Sequence, residues 1–207
     1  MADQIFPTKG NLIAVKKSLA LSTLGFDLLD RKRNILIREM MQLINRANEI
    51  GGEIDNAYTE AYKSLQLANL NMGIVENDAQ AVPVYDGLSL YSRSVMGVEI
   101  PKISFDRVRL EPHYGLYHTS SQLDNAYVQF SNLLKLTAEL AEVENSVYRL
   151  AQAIKKTQRR ANSLKNIIIP RFQDIAKYIA SYLEEKEREE FSRLKVLKKV
   201  LHDGDNG

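Results

Sequence analysis

Apolar residues recur at alternating steps of three and four along the first third of the chain. The positions are Leu12, Val15, Leu19, Ser22, Phe26, Leu29, Arg33, Leu36, Met40, Leu43, Ala47, Ile50, Ile54, Ala57 and Ala61. Only Ser22 and Arg33 are polar. This spacing puts one stripe along one side of a helix, as in the seam of a coiled coil. We predict a first long helix that is capped by Thr8 and ends between Asn71 and Gly73.

The same spacing returns in the last third of the chain. The positions are Ala126, Phe130, Leu133, Thr137, Leu140, Glu144, Val147, Ala151, Ile154, Gln158, Ala161, Ile168, Phe172, Ile175, Ile179 and Tyr182. They predict a second long helix that begins at Ser120 or Ser121. Its register is irregular near Lys165, and Pro170 predicts a kink inside it because proline removes one helical hydrogen bond.

Each of these seams needs a partner helix, and the two can serve each other. We predict an antiparallel coiled coil, left-handed because the apolar repeat is seven. Placing Met72 opposite Ser120 puts Arg33 near Arg159. The second helix then extends roughly 20 residues beyond the start of the first. That extension either continues as a free helix or folds back beside residues 1–8.

The middle of the chain, residues 75–118, has a different composition. Its segments Val82–Tyr85, Leu88–Val95 and Val98–Phe105 are rich in β-branched and aromatic residues. They predict a small head with a β-hairpin, in which Met96 and Gly97 form the turn. Pro101 indicates an edge position because proline cannot donate to a ladder.

The predicted fold is therefore mainly α: a long antiparallel two-helix coiled coil with a small β-hairpin-containing head between the helices. The segments are the first helix at 1–74, the head at 75–119, and the second helix with its tail at 120–207. Charged residues make up 26% of the 207 residues and aromatic residues 8%, which fits a long-helix protein.

Composition excludes several classes of function. There is no cysteine, so disulfides and thiolate chemistry are excluded. The net charge of +2 gives no strong overall field toward nucleic acid. We find no signal peptide and no apolar run long enough to cross a bilayer, and therefore expect a cytoplasmic protein.

The residues that usually carry chemistry are not grouped. His113, His118 and His202 lack the companions that a metal site needs, and no glycine-rich phosphate loop is present. We therefore expect no catalytic, cofactor-binding or metal-binding residues, and no cofactor. In the acidic-basic run at 184–193, Glu184 with Arg188 and Glu189 with Arg193 have the spacing of ion pairs on a solvated helix.

Two further features leave alternatives open. Gly51 and Gly52 interrupt the first helix, either for close packing or a local bend, or as a point of torsional compliance. Basic clusters occur at 31–38 and at 155–160, and in the antiparallel pairing they fall at one level. They form a solvated collar, a contact for the acidic surface of a surrounding protein, or a nucleic-acid contact; the last is disfavoured because no aromatic residues are interleaved.

Three motifs carry a family resemblance. The first is PTKGNL at 7–12, followed by Gly25 and LLDRKR at 28–33; the second is RSVMGVEIP at 93–101. The third comprises RRANSLKNIIIP at 159–170 and LEEKEREEFSRLK at 183–195. With the motifs in this order, the chain resembles the D subunit of the V-type (vacuolar/archaeal-type) rotary ATPase and ATP synthase. Asp30 and Ser163 depart from the family pattern, where a basic residue and an alanine are expected.

The resemblance implies a central-stalk rotor subunit without catalytic residues of its own. The implied partners are the hexamer of ATPase A and B subunits, the rotor's F subunit and the membrane-ring adaptor C/d, with no nucleic acid and no direct membrane insertion. Residues from about Glu185 to Leu201 would enter the hexamer. The head would either cap the helices or couple rotation to the membrane ring. The alternative function is a stand-alone coiled-coil scaffold or tether.

Overall fold

The computed structural model describes residues 6–105, 114–115 and 119–204. Its elements are α1 (Lys9–Met72), α2 (Glu76–Gln80), β1 (Leu88–Val95), β2 (Val98–Phe105), α3 (Ser121–Ser163), a π-helical turn (Leu164–Ile168) and α4 (Ile169–Gly204). Two long helical stretches thus flank a two-stranded antiparallel hairpin, which confirms the predicted fold class. The supercoil itself stays a prediction.

Both predicted ends of α1 are confirmed. The Thr8 hydroxyl accepts a hydrogen bond from the Asn11 amide at 3.2 Å, so Thr8 is the N-cap. At the other end Gly73 has φ +81°, and its amide bonds to the Asn69 carbonyl. Glycine is favoured there because a Cβ would be strained in the left-handed conformation.

The chain divides into two compact units, and each contains part of both long helical stretches. Unit 1 comprises Met1–Arg33 and Lys156–Gly207, and unit 2 comprises Asn34–Lys155. In unit 1, Arg33 donates to Gln158 at 2.8 Å. In unit 2, the Ser120 amide donates to the Met72 sulfur at 3.3 Å, which confirms the predicted offset. The helices run antiparallel within each unit. The predicted division into three segments along the chain stays a prediction.

The predicted seam of α1 is confirmed. All fifteen positions are buried or half-buried, and Leu36 and Ile50 are completely buried. In unit 2, Ile50, Ile54 and Ala61 pack with Leu133 and Val143 of α3. The pattern predicts this face well because positions that repeat at three and four residues fall on one side of a helix.

The predicted seam of α3 is partly wrong. Two series of positions along α3 are spaced by three and four residues, and both include Leu133, Leu140, Val147, Ile154 and Ala161. These five residues are buried or half-buried, as expected. Phe130 and Gln158 are also half-buried, but Thr137, Glu144 and Ala151 between them are exposed. There the burial falls on the residues one position earlier, Leu136, Val143 and Leu150. The series that contains Leu150 is the buried one because the hairpin packs beside Leu150.

This corrected register predicts unequal effects for two alanine substitutions in α3. Leu150 is fully buried, so Leu150→Ala should lower the free energy of unfolding by about 2–5 kcal/mol. Glu144→Ala, at an exposed position of the same helix, should change it by less than about 0.5 kcal/mol. Chemical denaturation monitored by circular dichroism measures both. Equal losses would contradict the register.

The irregularity predicted near Lys165 is a π-helical turn. The Ile169 amide bonds to the Leu164 carbonyl, five residues back, so this turn holds one extra residue. The extra residue also changes the spacing of the half-buried side chains. Leu164, Ile168 and Phe172 are separated by two successive steps of four, instead of a step of three and a step of four. Pro170 follows at once and has no amide to donate, and the helix continues through it as predicted.

The hairpin matches its prediction at the turn and in both strands. Met96 and Gly97 have φ 51° and 76°, as a two-residue hairpin turn of the primed type requires. β1 pairs with β2 from Val95↔Val98 to Leu88↔Phe105. Residues 82–85 form no strand, so that part of the predicted β-rich head is wrong. Tyr85 instead stacks on Phe105, with ring centroids 6.3 Å apart.

The outer edge of β2 is bonded to α3 through side chains. Glu142 accepts from the Ile103 amide at 2.6 Å, and Ser146 donates to the Pro101 carbonyl at 3.4 Å. Arg149 donates to the Glu99 carbonyl at 3.2 Å. Alternate strand residues therefore meet one face of the helix, and an otherwise open sheet edge is satisfied.

The hairpin lies along the flank of the helices in unit 2. Its residues Val95 and Ile100 pack with Leu36 of α1 and Leu150 of α3. These contacts lie far from the Met72 end of α1, about 54 Å along a helix from Leu36 to Met72. The hairpin itself therefore does not cover that end.

Connecting residues cover the end of the helices instead. Val75 is buried with Ala68 and Leu123, and Tyr114 packs on this cluster. The Tyr114 hydroxyl also bonds to Asp124 at 2.6 Å. The apolar end of the pair is thus closed by the residues that flank the hairpin.

Gly51 and Gly52 are not needed for close packing. A Cβ added at either position meets nothing within 4 Å, and neither residue has a positive φ. The close-packing interpretation is therefore wrong, and a local bend or torsional compliance remains. We predict that replacing both by alanine raises the free energy of unfolding by about 1–2 kcal/mol. Denaturation curves test this, and an unchanged or lower stability would contradict it.

Candidate interaction surfaces

The described residues contain no obvious chemical centre. Among them, no group of three or more His, Asp or Glu side chains is placed to hold a metal ion. The side chains of His113, His118 and His202 lie outside the described residues. An open depression on α4 lies beside Glu184, Arg188 and Ser192.

Within the described part of the chain, no helix has the length and apolar character needed to cross a membrane.

The C-terminal part of α4 is a helix with almost no support. Residues 184–198 are all exposed, and the helix continues without folding back to Gly204. Phe191, Leu194 and Leu197 are 71%, 64% and 58% exposed. Glu189 and Arg193 form the predicted ion pair at 3.8 Å, whereas no ion pair joins Glu184 to Arg188. Exposed apolar residues of this kind on a charged helix are typical of a surface that binds another protein.

One ion pair ties the base of this extension to α1. Lys9 lies 2.8 Å from Glu187, and their hydrogen bond raises the pKa of Lys9 and lowers that of Glu187. The contribution to stability is lost as the pH falls through the lowered pKa of Glu187 or rises through the raised pKa of Lys9. Because both groups are exposed, the pair contributes little, and the extension beyond Glu187 spans about 25 Å of helix.

The seam of unit 1 contains a layer of polar residues beside the basic clusters at 31–38 and 155–160. Arg33 contacts Asp30 at 2.6 Å and Gln158 at 2.8 Å, and Gln158 in turn donates to Asn162. Thr157 beside it is buried. A half-buried polar layer among apolar ones favours one register because a slip would separate these partners.

Unit 2 has an exposed surface that the seam analysis missed. Tyr58 and Tyr62 stack one helical turn apart with centroids 6.1 Å apart, and Tyr62 meets Phe130 edge-on. Leu70 and Ile74 beyond them are 81% and 89% exposed. These residues lie outside the seam, in two pairs four residues apart, and a search for apolar residues beside the seam would have found them.

Comparison with known sequences gives the family to which the chain belongs. The family model for the D subunit of ATP synthase matches residues 11–199. The chain is 47% identical to the D subunit of the V-type ATP synthase of Thermotoga neapolitana over 199 residues, 95% of this chain and 98% of the relative. It is 35% identical to the D subunit of the A-type ATP synthase of Thermococcus sibiricus over 203 residues, 96% of this chain and 95% of the relative.

A third relative gives the same result. The D subunit of the A-type ATP synthase of Methanosphaera stadtmanae is 36% identical over 206 residues, which cover 97% of this chain and 96% of the relative. The chain belongs to the family of ATP synthase D subunits. The resemblance inferred from the three motifs is thereby confirmed over nearly the whole chain.

Proposed function

We propose that this chain is the central-stalk rotor subunit of a V/A-type rotary ATPase or ATP synthase. It would transmit torque between the catalytic hexamer of A and B subunits and ion translocation by the membrane ring. Membership of the D-subunit family supports a place in an ATP synthase complex. The chain itself would be non-catalytic and would lie on the cytoplasmic side, attached to the membrane through its partners.

The free C-terminal helix is the observation that carries this proposal. An isolated helix of its length is only marginally stable in water, so a continuous helix with exposed Phe191, Leu194 and Leu197 favours a surrounding partner. The hole of a hexamer would provide such surroundings. In this arrangement residues from about Glu185 to Leu201 enter the hexamer.

Unit 2 offers surfaces for the other proposed partners. The Tyr58 and Tyr62 stack and the exposed Leu70 and Ile74 would be covered by the F subunit or by the adaptor C/d. The long α1 helix suits torque transmission because its seam packs against α3 in unit 2. The surrounding subunits would change conformation as the shaft turns. Each face of the shaft would bind one conformation of a subunit more tightly than another.

Purification of the tagged chain from its native membranes tests the proposal. We expect ATPase A and B subunits and a small F-like protein to co-purify, together with ATP hydrolysis. A stand-alone scaffold would instead be recovered alone or as a homodimer. Recovery free of ATPase subunits, from membranes in which those subunits are present, would reject the rotor assignment.

A further inference from the structure

The helix pair of unit 1 carries a large excess of positive charge. Residues 9–33 and 156–180 contain twelve lysines and arginines, three aspartates and no glutamate. In unit 2, by contrast, fifteen Asp and Glu residues outnumber ten Lys and Arg residues. The whole-chain charge of +2 therefore hides two units of opposite sign.

Most of these cations have no carboxylate partner. Among the described residues, only Lys9 and Arg33 of this set form ion pairs, with Glu187 and Asp30. Lys165 lies over the ring of Phe26, 5.8 Å from its centroid. The remaining exposed members are Lys16, Lys17, Arg31, Lys156, Arg159, Arg160, Arg171 and Lys177. Like charges on one helix pair repel, so they do not serve its stability.

An exposed aliphatic stripe runs between these cations. Lys17, Leu21, Leu24, Leu28 and Arg31 follow one another at steps of four and three along α1, outside the buried seam. The three leucines are 71%, 56% and 58% exposed. A partner that matches this stripe must bring apolar groups to its centre and negative charge to both ends.

This combination distinguishes the possible partners. A nucleic-acid backbone supplies phosphates but nothing apolar for three leucines, and the stripe from Lys17 to Arg31 holds no aromatic residue for base stacking. A protein surface readily combines carboxylates with apolar side chains. Charge complementarity therefore favours an acidic protein surface.

We propose that the helix pair formed by residues 9–33 and 156–180, here named the basic face, binds an acidic protein surface, with Leu21, Leu24 and Leu28 at its centre. This rests on the proposed function, in which the partner is the inner wall of the A and B hexamer. Exposed ion pairs are individually weak and screened by salt, so such a wall holds the shaft without fixing one position.

The test measures binding of the full-length chain to the reconstituted A and B hexamer at low and high salt. Lys17→Glu with Arg31→Glu should weaken binding at low salt by at least about tenfold, since two attractions become repulsions. The matched control Lys63→Glu with Lys135→Glu reverses two exposed cations in unit 2 and should bind like the unaltered chain. Lys17→Arg with Arg31→Lys keeps both charges and should also retain binding. Circular dichroism verifies that each variant is folded.

The outcomes separate this inference from the proposed function. If the unaltered chain binds the hexamer and the Lys17→Glu, Arg31→Glu variant binds equally well, the basic face is not the contact and the rotor assignment stands. If the unaltered chain does not bind the hexamer, the proposed function fails. A DNA duplex and phosphatidylserine vesicles serve as further probes. Binding to either that is lost in this variant, with hexamer binding unchanged, would overturn the proposal in favour of nucleic acid or membrane.

Discussion

A chain truncated after Glu184 is expected to bind the A and B hexamer at least about tenfold more weakly than the full chain. The truncation removes the exposed helix with Phe191, Leu194 and Leu197, and burying even two such side chains contributes about 3 kcal/mol. Retention of the F subunit is expected, because its proposed surface lies in unit 2. Binding is measured by titration of labelled chain into hexamer.

A matched pair of substitutions localises this effect. Leu194→Ala with Leu197→Ala alters the proposed contact side, which also includes Leu201, whereas Val196→Ala removes a similar exposed group pointing away from Leu194. We expect weaker binding only for the leucine variant. None of these changes should affect folding, since residues 184–198 are exposed throughout. Full hexamer affinity in the truncated chain would show that the tail is not part of the bearing.

Replacement of residues 82–106 by a short Gly-Ser linker is expected to uncouple the complex. ATP hydrolysis by the hexamer should continue, while ions pumped per ATP in reconstituted vesicles should fall several-fold. The hairpin packs on the flank of unit 2 and exposes Leu88, Leu90 and Tyr91, so we expect it to act through a neighbour such as the F subunit. A stretch of this length between helices usually has a role of its own.

A milder variant controls for loss of packing, because removing the hairpin also uncovers Leu36 and Leu150. Leu90→Ser leaves the bonds from Glu142 and Arg149 in place and changes only an exposed side chain, 67% accessible. The Leu90→Ser chain should keep its free energy of unfolding, while the number of ions pumped per ATP should fall. If the linker variant pumped as many ions per ATP as the unaltered chain, the hairpin would have no role in coupling.

The sequence predicts those parts of the fold that a single helix face can encode. The seam of α1, the Thr8 and Gly73 caps and the Met96 turn depend on residues close in the chain, and each is confirmed. The pairing of Met72 with Ser120 could also be predicted, because two seams of similar length can pair in only a few ways.

The errors arise where a third element competes for the same helix. Two apolar series in α3 fit the helical repeat equally, and only the hairpin beside Leu150 and Ser146 decides between them. The position of the hairpin depends on long-range bonds from Glu142 and Arg149, which no local pattern reveals. Exposed stripes such as Leu21 to Leu28 were overlooked because the stronger seam beside them accounts for the helix.

Direct observation of rotation tests the central claim most directly. The chain has no cysteine, so Asn69→Cys at an exposed position of α1 provides a single site for a bead. With the A and B hexamer fixed to a surface and ATP supplied, we predict stepwise rotation of the bead in one direction, which stops when ATP is withdrawn. A bead that shows only undirected motion while the same complexes hydrolyse ATP would contradict the rotor function.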